Sequence, residues 1–425
     1  MHKQEESPYA AFVGIDWGDK KHDLCLWVPG HERRERLVLE HRPRAIQAWA
    51  EQLRERFGGA QVAVSLELSQ GPLVSALLEY EFLVLFPVQP STVASYRRAF
   101  KPSRAKDDPT DAEFALEVLI RHRDKLKRLE PERPAMRTLR SLVEARRDLV
   151  HDRTRLTNRI TAALKGYFPQ ILDWFRDKDA TIFADFLERW PTLQAAQRAR
   201  RETLESFFRA GNVRYKKTIE RRIDAIRNET PLHSDDAVIT PSQLLVEALL
   251  SQLRVLSAGI ARFDAEIARL APQLPDYELF AALPGAGPTL APRLLAAFGE
   301  RRERFPNAAA LQNYAGIAPV IERSGNKCWV HWRYSCSKFL RQTFIEWVGQ
   351  TIPRSFWAKV FYETCRARGS RHQAALRSLA FKWIRILHRC WVDRVPYDES
   401  RYLMALQKRG APLLNHAAQN ASSFC

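Results

Sequence analysis

Short apolar runs alternate with helically spaced apolar residues over the first 90 positions of the chain. The runs predict five strands, at residues 9–15, 22–28, 36–40, 61–68 and 83–88. Apolar residues three and four apart predict helices at 45–57 and 73–80, and the glycines at 58 and 59 end the first of these. Three strands in succession, followed by alternating helices and strands, predict an α/β domain over residues 1–125.

The pattern changes to long helices after about residue 108. Apolar residues recur at intervals of three, four and seven from Leu139 to Leu164, which predicts a long amphipathic helix suited to a coiled-coil arm. Its polar face is basic: Arg137, Arg140, Arg146, Arg147, Arg153, Arg155, Arg159 and Lys165. Because acids are few on this face, contact with a nucleic-acid backbone is favoured slightly over a simple dimer arm, and the two are compatible. Residues 171–235 are helical and polar, and 244–270 predict another amphipathic helix, so 126–270 form a helical middle region.

The last third of the chain is also mostly helical. Gly285 and Gly287 flank Ala286 between two predicted helices, as in a helix-hairpin-helix turn whose amides can hold a phosphate, although an ordinary turn is equally compatible. Helices are predicted at 338–354 and 373–392. These segments form a C-terminal domain over 271–400, and the polar end, 401–425, is predicted to be a disordered tail. The fold class is therefore α/β plus α.

Composition narrows the partners of such a chain. Its 425 residues allow two or three domains, and 45% hydrophobic residues supply their cores. The formal net charge of +18 favours a polyanion, of which nucleic acid is the usual one. No run of about 18 apolar residues occurs, and the N-terminus is polar and acidic, so we expect no membrane span, no signal peptide and a cytoplasmic location. Six scattered cysteines without a CxxC pair predict reduced thiols rather than a zinc site.

Four acids stand where strands end and a helix begins. Asp16 and Glu67 each end an apolar run, and Asp108 and Asp111 open a predicted helix. Taken alone, Asp108 and Asp111 are explained by helix capping and the helix dipole. Glu67 lies between two leucines, where an unpaired buried carboxylate is costly. Together the four predict an all-oxygen site for Mg²⁺ or Mn²⁺, and in a basic protein the substrate of such a site is a phosphodiester.

A serine in the C-terminal region is a candidate only in context. Ser324 precedes Gly325, and a Ser-Gly pair is common in turns. Without a base or a metal ion to activate it, the residue pattern alone does not make Ser324 a nucleophile.

The spaced motifs resemble those of the insertion sequence 110 family of DNA transposases, also called DEDD transposases. They are Gly14-Ile15-Asp16-Trp17 with Lys20-Lys21-His22-Asp23, Leu66-Glu67-Leu68-Ser69, Lys106-Asp107-Asp108-Pro109-Thr110-Asp111-Ala112, Leu283-Pro284-Gly285-Ala286-Gly287-Pro288, Tyr314-Ala315-Gly316-Ile317-Ala318-Pro319 and Arg323-Ser324-Gly325. The resemblance runs from about residue 11 to 400. It departs at Tyr334-Ser335-Cys336-Ser337-Lys338-Phe339-Leu340-Arg341, where many members carry a Lys-x-Gly-Asn-like segment, and this puts Ser335 forward as a second candidate nucleophile.

The resemblance implies a RuvC-like domain of the ribonuclease-H fold, a coiled-coil middle and a C-terminal transposase domain. It implies that Asp16, Glu67, Asp108 and Asp111 bind Mg²⁺ or Mn²⁺, and that Ser324 forms a covalent bond with DNA. Because Ser324 and the acids are far apart in sequence, we expect a composite site in a dimer or tetramer. The family also implies donor and target DNA as partners, with a non-coding bridge RNA that selects them.

Three other functions fit parts of the sequence. One is a RuvC-like junction nuclease in which water attacks and Ser324 is a turn residue. Another is an actin-like or sugar-kinase-like ATPase, because Gly14-Ile15-Asp16 resembles the first phosphate loop of that superfamily; further glycine-rich nucleotide loops are not found, and the net charge is left unexplained. The last is a non-catalytic RNA-binding protein, which is disfavoured because all four acids are present.

Overall fold

The computed structural model describes residues 7–67, 70–100 and 108–410, with the side chains of 108 and 109 excepted. The chain divides into two compact units, Met1–Pro131 and Glu132–Cys425. The first is a mixed α/β unit and the second is almost entirely helical, as the sequence predicted. The finer division into domains at 1–125, 126–270 and 271–400 stays a prediction.

A five-stranded mixed sheet forms the centre of the first unit. Its strands are β1 (Ala11–Asp16), β2 (Lys21–Trp27), β3 (Glu35–Glu40), β4 (Val62–Leu66) and β5 (Leu83–Pro87). The order across the sheet is β3-β2-β1-β4-β5. β2 is antiparallel to β1 and β3, whereas β4 is parallel to β1 and β5. All five strands were predicted, with ends that differ by one or two residues.

Helices cover both faces of this sheet. They are α1 (Pro43–Arg56), α2 (Pro72–Leu77), α3 (Pro90–Phe100) and α4 (Asp108–His122), with a 3-10 turn at Arg123–Lys125. Alternate strand residues point to opposite faces. Val13 and Ile15 therefore share a core with α1 and α2, while Phe12 shares one with Ala112 and Leu116 of α4. Helix α3, which the sequence did not predict, packs on α4 through Val93.

The second unit contains α5 to α18. Their bounds are α5 Pro134–Tyr167, α6 Ile171–Trp174, α7 Thr181–Arg189, α8 Leu193–Arg198, α9 Arg201–Ala210, α10 Lys216–Asn228, α11 Asp236–Leu270, α12 Tyr277–Ala281, α13 Gly287–Phe298, α14 Ala308–Tyr314, α15 Lys338–Thr351, α16 Phe356–Ala367, α17 His372–Asp393 and α18 Glu399–Lys408, with 3-10 turns at Ala271–Gln273 and Arg302–Arg304. Two strands, β6 (Val320–Ser324) and β7 (Lys327–His331), form an antiparallel hairpin.

The long helices α5 and α11 run antiparallel along one another. Leu139 near the start of α5 shares a core with Ile267 near the end of α11, and Leu164 shares another with Leu250. With 34 and 35 residues, each helix is about 50 Å long at 1.5 Å per residue. The predicted long amphipathic helix is thus present, and α11 begins at Asp236, before the predicted start at 244.

The basic face of α5 differs from the prediction of a continuous cationic surface. Arg140, Arg146, Arg153 and Arg155 pair with Glu132, Asp264, Asp179 and Asp152 respectively. Half of the eight basic residues therefore neutralise carboxylates of the same unit.

The predicted tail requires a correction. Residues 399–408 form helix α18, and its Tyr402 and Leu406 pack against the core of the C-terminal helices. The prediction of a disordered tail was wrong for these residues. None of the residues of α18 is fully buried, so no strong apolar pattern marks this helix in the sequence. The rest of the predicted tail, 411–425, lies outside the described residues.

Within the described residues, one helical stretch, Asp236–Gln273, has the length and apolar composition that a membrane span requires. A single such helix is a weak indication, because core helices of water-soluble proteins have the same properties. In this unit its apolar residues Leu249, Leu250 and Leu253 lie in a helical core.

Candidate active site

Two of the predicted acids lie side by side at one edge of the sheet. The parallel strands β1 and β4 pair through Ile15 and Leu66. Asp16 follows Ile15 and Glu67 follows Leu66, so the two acids lie at the carboxyl ends of neighbouring strands. Both side chains are half-buried, and both take part in interactions within the protein.

Helix α4 lies close against these two strands. A Cβ added at Gly14 of β1 would be 2.1 Å from the carbonyl oxygen of Ala112 and 2.4 Å from the amide nitrogen of Leu116. On β4, the Ser65 hydroxyl donates a hydrogen bond of 2.8 Å to the Ala115 carbonyl. Glycine at 14 therefore allows a backbone-to-backbone approach that no other residue would permit.

Helix α4 packs along β1. Ala112 and Leu116 both meet Gly14, and Leu116 and Leu119 share a core with Phe12 of the same strand. Asp111 directly precedes Ala112, so this packing fixes the part of α4 that carries Asp111 relative to β1.

Asp111 is paired with a residue that the sequence did not single out. Its side chain is 8% exposed, and Nη1 of Arg97 donates to both of its carboxylate oxygens, at 2.6 Å to Oδ2 and closer to Oδ1. Arg97 lies on α3, and its own side chain is 19% exposed. Nothing in the local pattern around Arg97 indicated this contact, which depends on the packing of α3 against α4.

A further carboxylate lies beside these acids. Asp23 of β2 is opposite Asp16 in the antiparallel register, so both side chains point to the face that α4 covers. Asp23 is 9% exposed. In the sequence, Asp23 was noted only as the last residue of the motif Lys20-Lys21-His22-Asp23. Asp108 is the first helical residue of α4, and its predicted role as a ligand stays a prediction.

The donor types fit a hard divalent cation, because carboxylate oxygens are the ligands such ions prefer. Among the side chains that the structure describes, however, no group of three or more His, Cys, Asp or Glu is arranged to hold an ion. For Asp111, the contact with Arg97 explains why the carboxylate is not arranged to hold an ion: both of its oxygens already accept hydrogen bonds from the Arg97 guanidinium. Metal binding there would require Arg97 to release the carboxylate.

The candidate serine lies at the tip of an exposed hairpin. Ser324 is the last residue of β6 and pairs with Lys327 across a two-residue turn. Gly325 has φ +55° at the first central position, where hairpin turns of type II′ place glycine. Ser324 is exposed, and within the described part of the chain its hydroxyl has no hydrogen-bond partner. Ser335 is exposed as well and lies beyond the hairpin, between β7 and α15.

Known proteins resemble both units of the chain. Residues 13–169 match the family model of DEDD transposases of IS110, and residues 277–363 match the model described as "Transposase IS116/IS110/IS902 family". The chain belongs to the IS110 family of transposases. The matched segments contain the four acids and Ser324.

Individual relatives of this IS110-family transposase match it over most of its length. It is 28% identical to the "Mini-circle putative transposase for IS117" of Streptomyces coelicolor, over 97% of this chain and 100% of the relative. It is 25% identical to an uncharacterized 43.6 kDa protein of IS110 from the same species, over 91% of this chain and 95% of the relative. A 44.8 kDa protein of IS116 from Streptomyces clavuligerus is 28% identical over 76% of this chain and 80% of the relative. As a transposase, the protein acts on DNA.

Proposed function

We propose that this transposase cuts and rejoins DNA strands with a RuvC-like acidic site and a serine nucleophile. The observation that carries the proposal is the position of Asp16 and Glu67 at the carboxyl ends of two neighbouring parallel strands, with α4 packed closely on β1. The strand order β3-β2-β1-β4-β5, with three antiparallel strands followed by two parallel ones, supports the RuvC-like assignment.

Asp16, Glu67, Asp108 and Asp111 would hold one or two Mg²⁺ or Mn²⁺ ions. A bound ion of this kind polarises phosphoryl oxygens and stabilises the charge on a leaving oxygen. Asp16 and Glu67 are half-buried, which limits the access of water to their carboxylates.

Ser324 supplies the covalent step. Its hydroxyl oxygen forms a bond to phosphorus, the bond from phosphorus to one deoxyribose oxygen breaks, and that oxygen gains a proton while the hydroxyl loses one. The phosphoserine ester retains the bond energy, so a second deoxyribose hydroxyl can reverse the step and rejoin strands without ATP. Exposure of Ser324 on a hairpin tip supports this role, since a DNA phosphate can reach it without rearrangement of the core.

The exposed serine requires activation from outside its own hairpin. The proposal therefore needs the acids and Ser324 to meet on the same phosphate in an assembled dimer or tetramer. Family resemblance also favours a non-coding bridge RNA that selects donor and target DNA, and the net charge of +18 suits contact with two polyanions.

A metal-only RuvC-like nuclease is the second candidate function. It is favoured by one observation, namely that Ser324 occupies an ordinary hairpin-turn position and its hydroxyl has no hydrogen-bond partner among the described residues. In that case water attacks the phosphate and no covalent bond to the protein forms.

The decisive experiment is capture of a protein–DNA adduct. Wild-type protein with Mg²⁺, donor DNA and target DNA should give an adduct that resists denaturant and is digested by protease. Ser324→Ala should remove it, whereas Ser335→Ala should retain it. Asp111→Asn should also lose it. An adduct that persists in Ser324→Ala, or cleavage without any adduct in the wild type, would assign the reaction to another nucleophile or to water.

A further inference from the structure

The segment that follows the exposed hairpin, residues 332–337, is firmly anchored; we call it the hairpin root. Arg333 donates from Nη2 to Oδ1 of Asn313 at 3.0 Å and from Nε to the Ala318 carbonyl at 3.4 Å. Cys336 packs under Gly316, where an added Cβ would be 2.3 Å from its sulfur. The hairpin thus projects from a fixed base even though its strands are exposed.

Two arginines from different helices converge on this root. Arg341, in the first turn of α15, donates from Nη1 to the Arg333 carbonyl at 3.4 Å. Arg377, in the second turn of α17, has its guanidinium against the ring of Trp332. Burial lowers the pKa of Arg377 to about 10, and the positive charge of Arg341 adds to the effect.

These arginines lack the acidic partners that Arg140 and Arg302, two half-buried arginines of this unit, have. Arg140 pairs with Glu132, and Arg302 pairs with Asp276. Across the described residues, by contrast, neither Arg341 nor Arg377 has a carboxylate within salt-bridge distance, and the buried Nε of Arg377 has no hydrogen-bond partner. Two neighbouring cations without a counter-charge are costly, so their retention points to an anion that is bound there.

The surroundings indicate which anion. Guanidinium groups bind phosphate through parallel hydrogen bonds, and an arginine fixed against an aromatic ring loses little freedom on binding. Trp329, Trp332 and Tyr334 on and beside β7 are 44%, 47% and 82% exposed. Exposed aromatic rings beside cations are typical of surfaces that stack the bases of a single strand.

We propose that Arg341 and Arg377 form a phosphate site that clamps a single nucleic-acid strand at the hairpin root. This rests on the proposed function, because the strand held there would lead to Ser324 at the tip. Five residue steps of β-strand, from Lys327 opposite Ser324 to Trp332, separate the tip from the root, about 17 Å at 3.4 Å per residue.

Salt-dependent binding of short oligonucleotides by the full-length protein tests the site. Fluorescence anisotropy would compare an oligothymidine DNA strand with an oligouridine RNA strand across a range of KCl concentrations. The variants are Arg341→Gln, Arg377→Gln and Arg377→Lys. The control is Arg389→Gln, at the far end of α17, where Arg389 is exposed and pairs with Asp393.

Loss of one phosphate contact should reduce the slope of log K against log salt by about 0.7, the value per phosphate for single strands. We expect this reduction, with a five- to tenfold weaker affinity, in both glutamine variants and a smaller loss in Arg377→Lys, which keeps the charge without the planar fork. Arg389→Gln should behave as wild type. The strand for which the glutamine variants lose more affinity, DNA or RNA, is the one that the site clamps.

Two results would overturn the proposal. One is wild-type affinity and slope in Arg341→Gln, a change that leaves the contact of Arg377 with Trp332 in place. The other is weaker binding of inorganic phosphate in the glutamine variants with no change in the binding of either strand. Ser324→Ala should lose the covalent adduct while it keeps the wild-type salt slope, so failure of the clamp and failure of the nucleophile are separate outcomes.

Discussion

The guanidinium of Arg97 holds both carboxylate oxygens of Asp111 in the first turn of α4. Both side chains are largely buried, at 19% and 8% exposed. A cation of the protein thus occupies a carboxylate that the proposed function assigns to a metal ion. Arg97 neutralises Asp111, and a metal ion bound as proposed would have to compete with Arg97 for the same oxygens.

Replacement of Arg97 by glutamine should therefore have opposite effects with and without a divalent ion. Without metal, an uncompensated buried carboxylate should lower the free energy of unfolding by about 3 kcal/mol. With Mn²⁺ or Mg²⁺ present, the loss of unfolding free energy in Arg97→Gln should be smaller, because the metal ion replaces the positive charge of Arg97. Mn²⁺ titration followed by electron paramagnetic resonance should show tighter binding in Arg97→Gln than in wild type.

The neighbouring Arg98 provides the control for this comparison. It is exposed, and among the described residues it donates only to the Ser95 hydroxyl, at 3.1 Å. Arg98→Gln should leave both stability and Mn²⁺ affinity unchanged. Equal Mn²⁺ affinity in Arg97→Gln and wild type would show that Arg97 does not compete with metal at Asp111.

The close approach of α4 to β1 gives a second prediction. In Gly14→Ala the added methyl group would meet the backbone of Ala112 at 2.1 Å, and backbone cannot move aside as a flexible side chain can. We expect a loss of about 3 kcal/mol in the free energy of unfolding, together with loss of DNA cleavage, because the part of α4 that carries Asp111 would shift relative to β1. Urea unfolding and a cleavage assay on the same protein would measure both.

Gly349→Ala is the matched substitution for that experiment. Gly349 lies within α15, and a Cβ there would meet nothing within 4 Å. Alanine should raise helix stability by about 0.8 kcal/mol and leave cleavage unchanged. Normal stability and cleavage in Gly14→Ala would mean that the contact with α4 does not position the acids.

Local patterns in the sequence predicted the central sheet because its strands bury apolar side chains in continuous runs. Val62–Leu66 is fully buried, for example, and its sequence is almost entirely apolar. The hairpin of β6 and β7 was not predicted, since nearly every one of its residues is exposed and no apolar alternation marks it. Helix α3 was missed for a related reason, as only Val93 of its residues is buried.

Some residues of the candidate site could likewise be predicted from the sequence, and others could not. Asp16 and Glu67 could be predicted together because both end strands, and strand ends of a parallel pair meet at one edge. Arg97 could not, because its contact with Asp111 depends on how two helices pack, and neither helix encodes that in its own spacing. Asp23 was visible in the sequence, but its proximity to Asp16 follows only from the antiparallel register.

His22 predicts a pH dependence of stability for the sheet. It is fully buried; its Nδ1 accepts a hydrogen bond from the Gly18 amide at 3.3 Å, and its Nε2 lies 3.0 Å from Nδ1 of His41. Burial lowers the pKa of His22 to about 4, and the positive charge of His41 adds to this. Since the pKa in the unfolded chain is about 6.5, the unfolded state binds the proton first as the pH falls.

Stability from neutral His22 is therefore complete above about pH 6.5 and is lost as the pH falls towards 4. His22→Gln should remove this slope, worth about 3 kcal/mol between the two limits. Urea unfolding midpoints measured from pH 7 to pH 4 would detect it, with His233→Gln, an exposed position, as the control. A slope that is identical in wild type and His22→Gln would assign the acid sensitivity to other groups.

Mixing two inactive variants tests whether the acids and the serine come from different copies of the chain. Asp111→Asn keeps the nucleophile and Ser324→Ala keeps the acids, so neither alone should form an adduct with DNA. If the composite site combines two copies, the mixture should regain cleavage at one of the two sites of each mixed dimer. The adduct should then be found on the Asp111→Asn chain alone, which a size tag on one variant would reveal. An inactive mixture, with both proteins folded and bound to DNA, would mean that each copy supplies its own acids and serine.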